Sequence, residues 1–281
     1  MKKRTGFLVL ATAALFLTAC GGGGATNESS AMTESSSQTE TTDLLQQVQD
    51  AGVIKVGLMG TYQPYNFLNE NQEMDGFDAD IAKEIAKGLD VDIEFVSQEF
   101  SGMIAGLKAN KFDMIVSQMT ITEDRKKEML FSDPYITNQV KVIVSETNTD
   151  ILSVNDFPGK QIGVGLGTNG ETYLRTVLMP EVGDFEIRTY DDVITSLKDL
   201  DAGRIDATIN NLYALKPVIE TNGFKIKAVG DPVKSDQAGI AVNLGNETFI
   251  AEVNRILAEI KEEGTYRDIF VKWFGEEPPA E

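Results

Sequence analysis

Residues 161–178, QIGVGLGTNGETYLRTVL, hold an apolar strand, a glycine-rich loop and a helix in direct succession. The short apolar run predicts a strand at Gln161–Val164, and a helix is predicted at Gly170–Leu178. A strand that turns directly into a helix is the repeating unit of folds built on parallel sheets. This stretch therefore places the chain in the α/β class.

The same alternation continues on both sides of this stretch. On the N-terminal side, strands are predicted at Val53–Leu58, Val91–Val96, Met114–Val116 and Gln139–Ser145, and helices at Asp78–Leu89 and Gly102–Ala109. On the C-terminal side, strands are predicted at Phe185–Thr189, Ala207–Ile209 and Gly239–Asn243, and helices at Val193–Ala202, Leu212–Thr221, Phe249–Glu262 and Tyr266–Trp273. Asp78 is the predicted N-cap of its helix. Two such series predict two α/β lobes, with a ligand site at the strand ends that face the cleft between them.

The N-terminus has the pattern of a secretion signal. Residues 2–4 are basic, and the apolar run Phe7–Leu17 is shorter than the roughly 20 residues that a membrane-spanning helix needs. The run ends in Leu17–Cys20, LTAC, which resembles the bacterial lipobox, where the cysteine is acylated and becomes the first mature residue. We expect residues 1–19 to be a lipoprotein signal peptide and Cys20 to carry a palmitate-type lipid. The alternative is an incidental thiol.

The segment after the lipobox is rich in Gly, Ser, Thr and Glu and has few large apolar side chains. Such a segment cannot bury enough surface to offset its ordering entropy, so residues 20–43 are expected to form a flexible linker. Signal, cysteine and linker together predict an extracytoplasmic protein that is anchored by lipid to the cell membrane, in an envelope of the Gram-positive type.

The loop Gly165–Gly170 fits the dinucleotide fingerprint G-x-G-x-x-G, and Asp191 follows about 20 residues later. NAD is scarce outside the cytoplasm, however, and the predicted lobe is small for a complete dinucleotide fold. No cofactor is therefore expected. The glycines still expose backbone N–H groups at a helix N-terminus, and these hold a carboxylate as well as a phosphate.

The composition excludes several classes of function. The chain has 44 acidic and 25 basic residues and a net charge of −19, which argues against nucleic-acid binding because that needs basic side chains. It has no histidine and a single cysteine, so zinc sites of Cys and His, Ser-His-Asp triads and Cys-His pairs cannot form. No metal and no catalytic residue are expected.

A polar run follows the predicted strand Met114–Val116. Ser117, Gln118 and Thr120 offer hydroxyl, amide and backbone groups to a small zwitterion. Arg125 lies one turn into a helix that Thr122 would cap, and a guanidinium fork can hold a carboxylate through two hydrogen bonds. The alternative interpretation is a solvated helix in which Arg125 pairs with a nearby acid.

Several motifs occur in an order and spacing that resemble one family, the amino-acid-binding proteins of ABC transporters, solute-binding family 3, with the type II periplasmic-binding-protein fold. The resemblance covers residues 44–275 and rests on GFDAD at 76–80, MTIT at 119–122 with Arg125, FSDPY at 131–135, GTY at 264–266 and KWFG at 272–275.

The resemblance implies two Rossmann-like lobes joined by two crossing strands. Lobe 1 would take residues 44–136 plus 235–281, and lobe 2 residues 137–234. It also implies a monomer that binds a free amino acid, is no enzyme, and has an ABC permease and its ATPase as partners.

The resemblance also implies site residues. Tyr62 would lie against one side of the ligand with Phe100 facing it, and Thr120, Ser117 and the Gln118 backbone would bind its polar end. Arg125 would clamp the α-carboxylate, and the helix N-terminus at Thr168 and Asn169 would offer N–H groups.

One site position departs from the family pattern. Asn211 stands where the family usually has an Asp that pairs with the α-ammonium. An amide accepts a hydrogen bond but does not neutralise charge. Met59, Gln118 and Asn211 together favour a polar or cystine-like ligand over a strongly cationic one.

Two alternatives remain open at this stage. The same fold resembles the exported prephenate/arogenate dehydratases, which would make the protein an enzyme with an acid in the cleft. The protein could also be a sensory lipoprotein that binds a ligand without importing it.

Overall fold

A computed structural model describes residues 43–279. Its strands are β1 (Val53–Leu58), β2 (Thr61–Tyr62), β3 (Asn66–Leu68), β4 (Met74–Asp75), β5 (Asp92–Ser97), β6 (Met114–Ile115), β7 (Met129–Phe131), β8 (Ile136–Ser145), β9 (Gln161–Gly165), β10 (Glu186–Tyr190), β11 (Ala207–Asn211), β12 (Ile226–Ala238) and β13 (Ala241–Asn243). Its helices are α1 (Leu44–Ala51), α2 (Phe77–Gly88), α3 (Met103–Lys108), α4 (Glu123–Lys126), α5 (Asn169–Tyr173), α6 (Met179–Val182), α7 (Val193–Asp201), α8 (Leu212–Asn222), α9 (Glu247–Glu262) and α10 (Thr265–Phe274). A π-helical turn, Leu174–Leu178, connects α5 to α6.

The expected signal peptide, the acylated Cys20 and all of the linker before residue 43 lie outside the described residues. Within residues 43–279, no helix is both long and apolar enough to cross a membrane. In the same range, no group of three or more Cys, His, Asp or Glu side chains is arranged to hold a metal ion.

Two five-stranded sheets organise the described residues. The first has the order β5-β1-β6-β13-β7, and β1 is parallel to β5 and β6 while β13 is antiparallel to its neighbours. The second has the order β10-β9-β11-β8-β12, and β9 is parallel to β10 and β11. We call the body around the first sheet lobe 1 and the body around the second lobe 2. The two α/β lobes confirm the predicted fold class.

Two long antiparallel strands link the lobes. β8 begins beside lobe 1, where Ile136 pairs with Ala238 of β12, and both strands then continue into the second sheet. β12 runs back toward lobe 1, and the chain passes from it through Gly239 into β13 of the first sheet. The residue boundaries expected for the lobes remain a prediction.

An aromatic cluster holds the start of α2 in lobe 1. Phe77 is fully buried, and its ring lies 6.0 Å from that of Tyr135, 5.9 Å from Phe270 and 5.0 Å from Phe274. Burying one such ring contributes about 1.5–3 kcal/mol to stability. The cluster therefore fixes the first turn of α2 against the chain that leads into β8.

Two local predictions near the site have opposite outcomes. Asp78 is not the N-cap of α2, because the helix begins at Phe77 and Gly76 occupies the cap with φ 120° and ψ 174°. That backbone conformation is essentially restricted to glycine. The predicted helix Gly102–Ala109 is confirmed as α3, with Gly102 and Ala109 as its cap residues, and a 3₁₀ turn at Phe100–Gly102 precedes it.

Candidate binding cleft between the lobes

A cavity of about 110 Å³ lies between the lobes. Strand ends supply much of its wall, as expected for parallel sheets: β6 leads into it from lobe 1, and β9, β10 and β11 from lobe 2. Eight of the residues named from the sequence line it: Tyr62, Phe100, Ser117, Gln118, Thr120, Thr168, Asn169 and Asn211. The ninth, Arg125, lies beside the cavity without lining it.

The lobe 1 wall is a strand end held in an uncommon conformation. Gln118 has φ +51°, a left-handed conformation that few residues other than glycine adopt. The side chain of the preceding residue, Ser117, accepts a hydrogen bond from the Met59 N–H at 3.2 Å. The turn at Gln118 therefore directs the following segment, with Thr120, along the cavity.

Arg125 is a buried cation without an acidic partner. Only 9% of the residue is exposed, and Thr122 caps its helix, as predicted, by accepting from the Arg125 N–H at 3.2 Å. The guanidinium donates to the carbonyls of Thr120 at 2.9 Å and Gly167 at 3.3 Å. Its carbon also lies 5.5 Å from the centre of the Phe100 ring.

Arg125 takes part in no ion pair among the described residues. Asp236, the acid whose charge acts most strongly on it, pairs with Lys234 at 3.0 Å. Burial lowers the pKa of Arg125 to about 10, so the guanidinium stays charged at neutral pH. The alternative interpretation, a solvated Arg125 paired with an acid, is therefore wrong.

The lobe 2 wall is the glycine loop at the start of α5. Thr168 caps this helix, since its hydroxyl accepts from the Glu171 N–H at 3.2 Å and donates to the Gly165 carbonyl at 2.7 Å. The side chain of Asn169 donates to the Asp236 carboxylate at 3.2 Å. The side chains of Thr168 and Asn169 are thus engaged within the protein, and the loop offers a ligand mainly the first backbone N–H groups of the helix, which have no intrahelical acceptor.

Gly167 brings this loop into contact with lobe 1. Its φ is +72°, and a Cβ added there would lie 3.0 Å from the Cα of Ser101. Such an approach leaves no room for a side chain. Together with the hydrogen bond from Arg125 to Gly167, it shows that the lobes meet on this side of the cleft.

A second bridge between the lobes runs from Tyr62 to Asn210. The Tyr62 hydroxyl donates to Asn210 Oδ1 at 2.6 Å. The neighbouring Asn211 is half-buried and precedes α8 without capping it through its side chain. Position 211 therefore places a neutral amide in the cavity wall.

Three carboxylates that the sequence did not single out as site residues also line the cavity: Asp191, Asp192 and Asp236. Asp191 and Asp192 directly follow β10, so the rule that strand ends carry sites could have found them. Asp192 caps α7 by accepting from the Thr195 N–H at 2.7 Å. Asp236 lies on β12, which the sequence pattern did not predict.

The family model of the bacterial extracellular solute-binding proteins, family 3, matches residues 54–276. The L-cystine-binding protein of Escherichia coli strain K12 is 36% identical over 233 residues, which covers 83% of this chain and 86% of that protein.

The chain is also similar to solved structures of amino-acid-binding proteins. An ancestral arginine-binding protein bound to arginine is 36% identical with a TM-score of 0.75, covering 80% of this chain and 99% of that one. An ancestral amino-acid-binding protein described as a precursor of cyclohexadienyl dehydratase is 32% identical with a TM-score of 0.75, covering 82% and 99%.

Two α/β lobes that meet across a cleft define a two-lobed solute-binding protein. The chain belongs to the bacterial extracellular solute-binding proteins of family 3. This confirms the family that the sequence motifs indicated.

Proposed function

We propose that this protein captures a free amino acid in the interlobe cleft and delivers it to an ABC importer. The observation that carries the proposal is Arg125, a buried guanidinium without a carboxylate partner within residues 43–279, at the point where the two lobes meet. A ligand carboxylate placed there would supply the missing anion through charge-assisted hydrogen bonds. It would also lie next to the helix N-terminus at Asn169, which favours negative charge.

Binding in this position would favour the closed arrangement of the lobes. Arg125 belongs to lobe 1 and the loop Gly165–Gly170 to lobe 2, so a carboxylate held by both gains contacts that an open cleft cannot offer. A ligand shifts a conformational equilibrium only by such differential contacts. The closed form is then the one presented to the permease.

We propose L-cystine as the ligand in preference to L-arginine. Asp192 and Asp236 are already engaged, by the α7 N-terminus and by Lys234, which leaves few free acids for a guanidinium. The apolar Met59 also lines the cavity. In contrast, the neutral amides of Asn210 and Asn211 suit a long polar ligand with a second zwitterionic end.

One polar group in the cavity wall, the Ser196 hydroxyl, lacks a hydrogen-bond partner among the described residues. Ser196 lines the cavity at the start of α7, and its hydroxyl is buried. A buried polar atom without a partner is costly, and a ligand can remove that cost. This supports a polar ligand over an aliphatic one. The L-cystine-binding relative supports the same choice.

Binding without turnover is proposed in preference to dehydratase activity, despite the relative that is a precursor of such an enzyme. A general acid must be within hydrogen-bond reach of its substrate with a suitable pKa. In the cavity wall, Asp192 and Asp236 are held by internal partners, and Asp191 is exposed. Incubation with prephenate is expected to yield no dehydrated product.

The export signal, the lipid on Cys20 and the monomeric state belong to the same proposal. A lipid anchor and a flexible linker would keep the binding protein within reach of its permease at the outer face of the cell membrane. Metabolic labelling with a palmitate analogue tests this directly, since Cys20→Ser would abolish the label.

Thermal unfolding in the presence of each proteinogenic amino acid and of L-cystine tests the proposed function. A ligand at 100 times its Kd stabilises the native state by about 2.7 kcal/mol, which moves the transition by several degrees. L-cystine is expected to give the largest shift. If no amino acid moves the transition, the proposed function is wrong.

Replacing Asn211 by aspartate is expected to lower the Kd for L-cystine by roughly fivefold, about 1 kcal/mol, because a carboxylate binds an ammonium more strongly than an amide does. Calorimetric titration measures the change. Asn155→Asp is the control, because it adds the same charge to lobe 2 at an exposed position that does not line the cavity. An equal gain in both variants, or none at position 211, would place the ammonium elsewhere.

A further inference from the structure

Asp78 is fully buried in the first turn of α2 and does not line the cavity. Its Oδ1 accepts hydrogen bonds from Gln118 Nε2 at 2.6 Å and from the Tyr135 hydroxyl at 2.9 Å. Its Oδ2 accepts from Asn66 Nδ2 at 2.7 Å. All of these donors are neutral, so the carboxylate is held by hydrogen bonds alone.

The partners of Asp78 have no freedom to reverse their hydrogen bonds. The Tyr135 oxygen accepts from the Gln118 N–H at 3.0 Å, and the Gln118 carbonyl oxygen accepts from Asn138 Nδ2 at 2.7 Å. The Asn66 carbonyl oxygen accepts from the Gly60 N–H at 3.0 Å. Each neighbour therefore turns a donor toward residue 78, and only a group that accepts on both oxygens satisfies them all.

These bonds act on the strand end that forms the lobe 1 wall. Gln118 is bound to Asp78 and Tyr135 through its side chain and to Tyr135 through its backbone, and it has the left-handed φ of +51°. A non-glycine residue keeps such a conformation only when its surroundings impose it. Asn138, on the strand that crosses to lobe 2, is attached to the same side chain.

We propose that Asp78 is a positioning residue for ligand binding: through Gln118 it holds the Ser117–Thr120 wall of the cleft in its ligand-binding shape without touching the ligand. This inference rests on the proposed function, since it concerns the same cleft. It differs from a purely structural role because it predicts a loss of affinity in protein that is fully folded.

The ionisation of Asp78 supports the proposal. Burial raises the pKa of this carboxyl to about 7, against the lowering effect of its hydrogen bonds. The titratable groups that face it are Tyr62, Tyr65 and Tyr135, and burial raises their pKa values too, so they stay neutral in this range. A proton added to the Asp78 carboxylate would point at the hydrogen-bond donors of Asn66, Gln118 or Tyr135 and so break one of these bonds. Ligand affinity is therefore expected to fall as the pH is lowered through 7.

The test uses radiolabelled L-cystine, or L-arginine if the unaltered protein does not bind cystine. In Asp78→Asn the new amide N–H faces a donor, either Asn66 Nδ2 or Gln118 Nε2, so one hydrogen bond is lost. This variant is expected to raise the Kd at least 30-fold. Adding Asn66→Asp restores the bond between positions 66 and 78 in the reversed direction, because the amide introduced at position 78 would donate to the new carboxylate at position 66. The amide oxygen at position 78 would still accept from Gln118 and Tyr135. The double variant is expected to bind within about threefold of the unaltered protein.

Asp80→Asn serves as the matched control, because this residue lies in the same turn of α2 but bonds Lys272 and Trp273 at the surface. Its Kd is expected to stay within twofold. Circular dichroism and the unfolding temperature establish that each variant is folded at the temperature of the assay. If Asp78→Asn does not fold, the pH profile of the unaltered protein decides.

Unchanged affinity in folded Asp78→Asn, no rescue in the double variant, or a Kd that is constant between pH 8 and pH 6 would each overturn the positioning role. Failure of the unaltered protein to bind L-cystine or any proteinogenic amino acid would instead overturn the proposed function. The two failures are thus distinguishable.

Discussion

Replacing Arg125 by alanine is expected to weaken amino-acid binding by at least about 100-fold. The side chain is a buried cation, and its loss would leave a ligand carboxylate desolvated and unpaired in the cleft. Removing one partner of a buried, hydrogen-bonded charge pair costs about 2–5 kcal/mol of binding free energy, and 100-fold corresponds to about 2.7 kcal/mol. Equilibrium binding of L-cystine measures the effect.

The fold is expected to survive this change. The Arg125 guanidinium donates to two carbonyls, so its removal leaves these acceptors without their donor and is expected to lower the free energy of unfolding by about 1–3 kcal/mol. Arg255→Ala is the control, since this exposed arginine on α9 pairs only with acids of its own helix. Retained affinity in Arg125→Ala would mean that the carboxylate binds elsewhere.

Replacing Gly76 by alanine is expected to lower the free energy of unfolding by at least about 3 kcal/mol. A Cβ at this position would lie 2.4 Å from the Tyr65 carbonyl oxygen and 2.8 Å from that of Pro64. These two oxygens accept from the first N–H groups of α2, at Asp78 and Phe77, so the clash also breaks the start of the helix. Urea denaturation measures the loss as a shift in midpoint.

Gly245→Ala is the matched control for Gly76→Ala. Gly245 also has a positive φ, +85°, but no atom of the part of the chain that the structure describes lies within 4 Å of an added Cβ. Only the conformational cost of about 1–2 kcal/mol remains there. Equal losses in the two variants would show that the contact with the Tyr65 carbonyl does not matter.

The sequence contains most of the information on the lobes, because each strand–helix unit is local and amphipathic. The sequence pattern does not predict β12. That strand includes Pro232 and several charged residues, which favour a loop, yet it pairs with β8 on both sides of an irregularity between Val229 and Lys234. Asp236 was missed as a cleft residue for this reason.

The candidate site was predictable where a residue follows a predicted strand end, as Ser117, Thr168 and Asn211 do. It was not predictable where the arrangement depends on tertiary contacts. Asp78 has the sequence position of a helix cap, and only the packing of Tyr135, Asn66 and Gln118 around it reveals a buried carboxylate under the cleft.

The crystal structure of the protein with the amino acid that gives the largest thermal shift tests the central claim most directly. A ligand carboxylate is predicted within about 3 Å of the Arg125 guanidinium and of the backbone N–H groups at the start of α5. A bound amino acid whose carboxylates all lie away from Arg125 would contradict it.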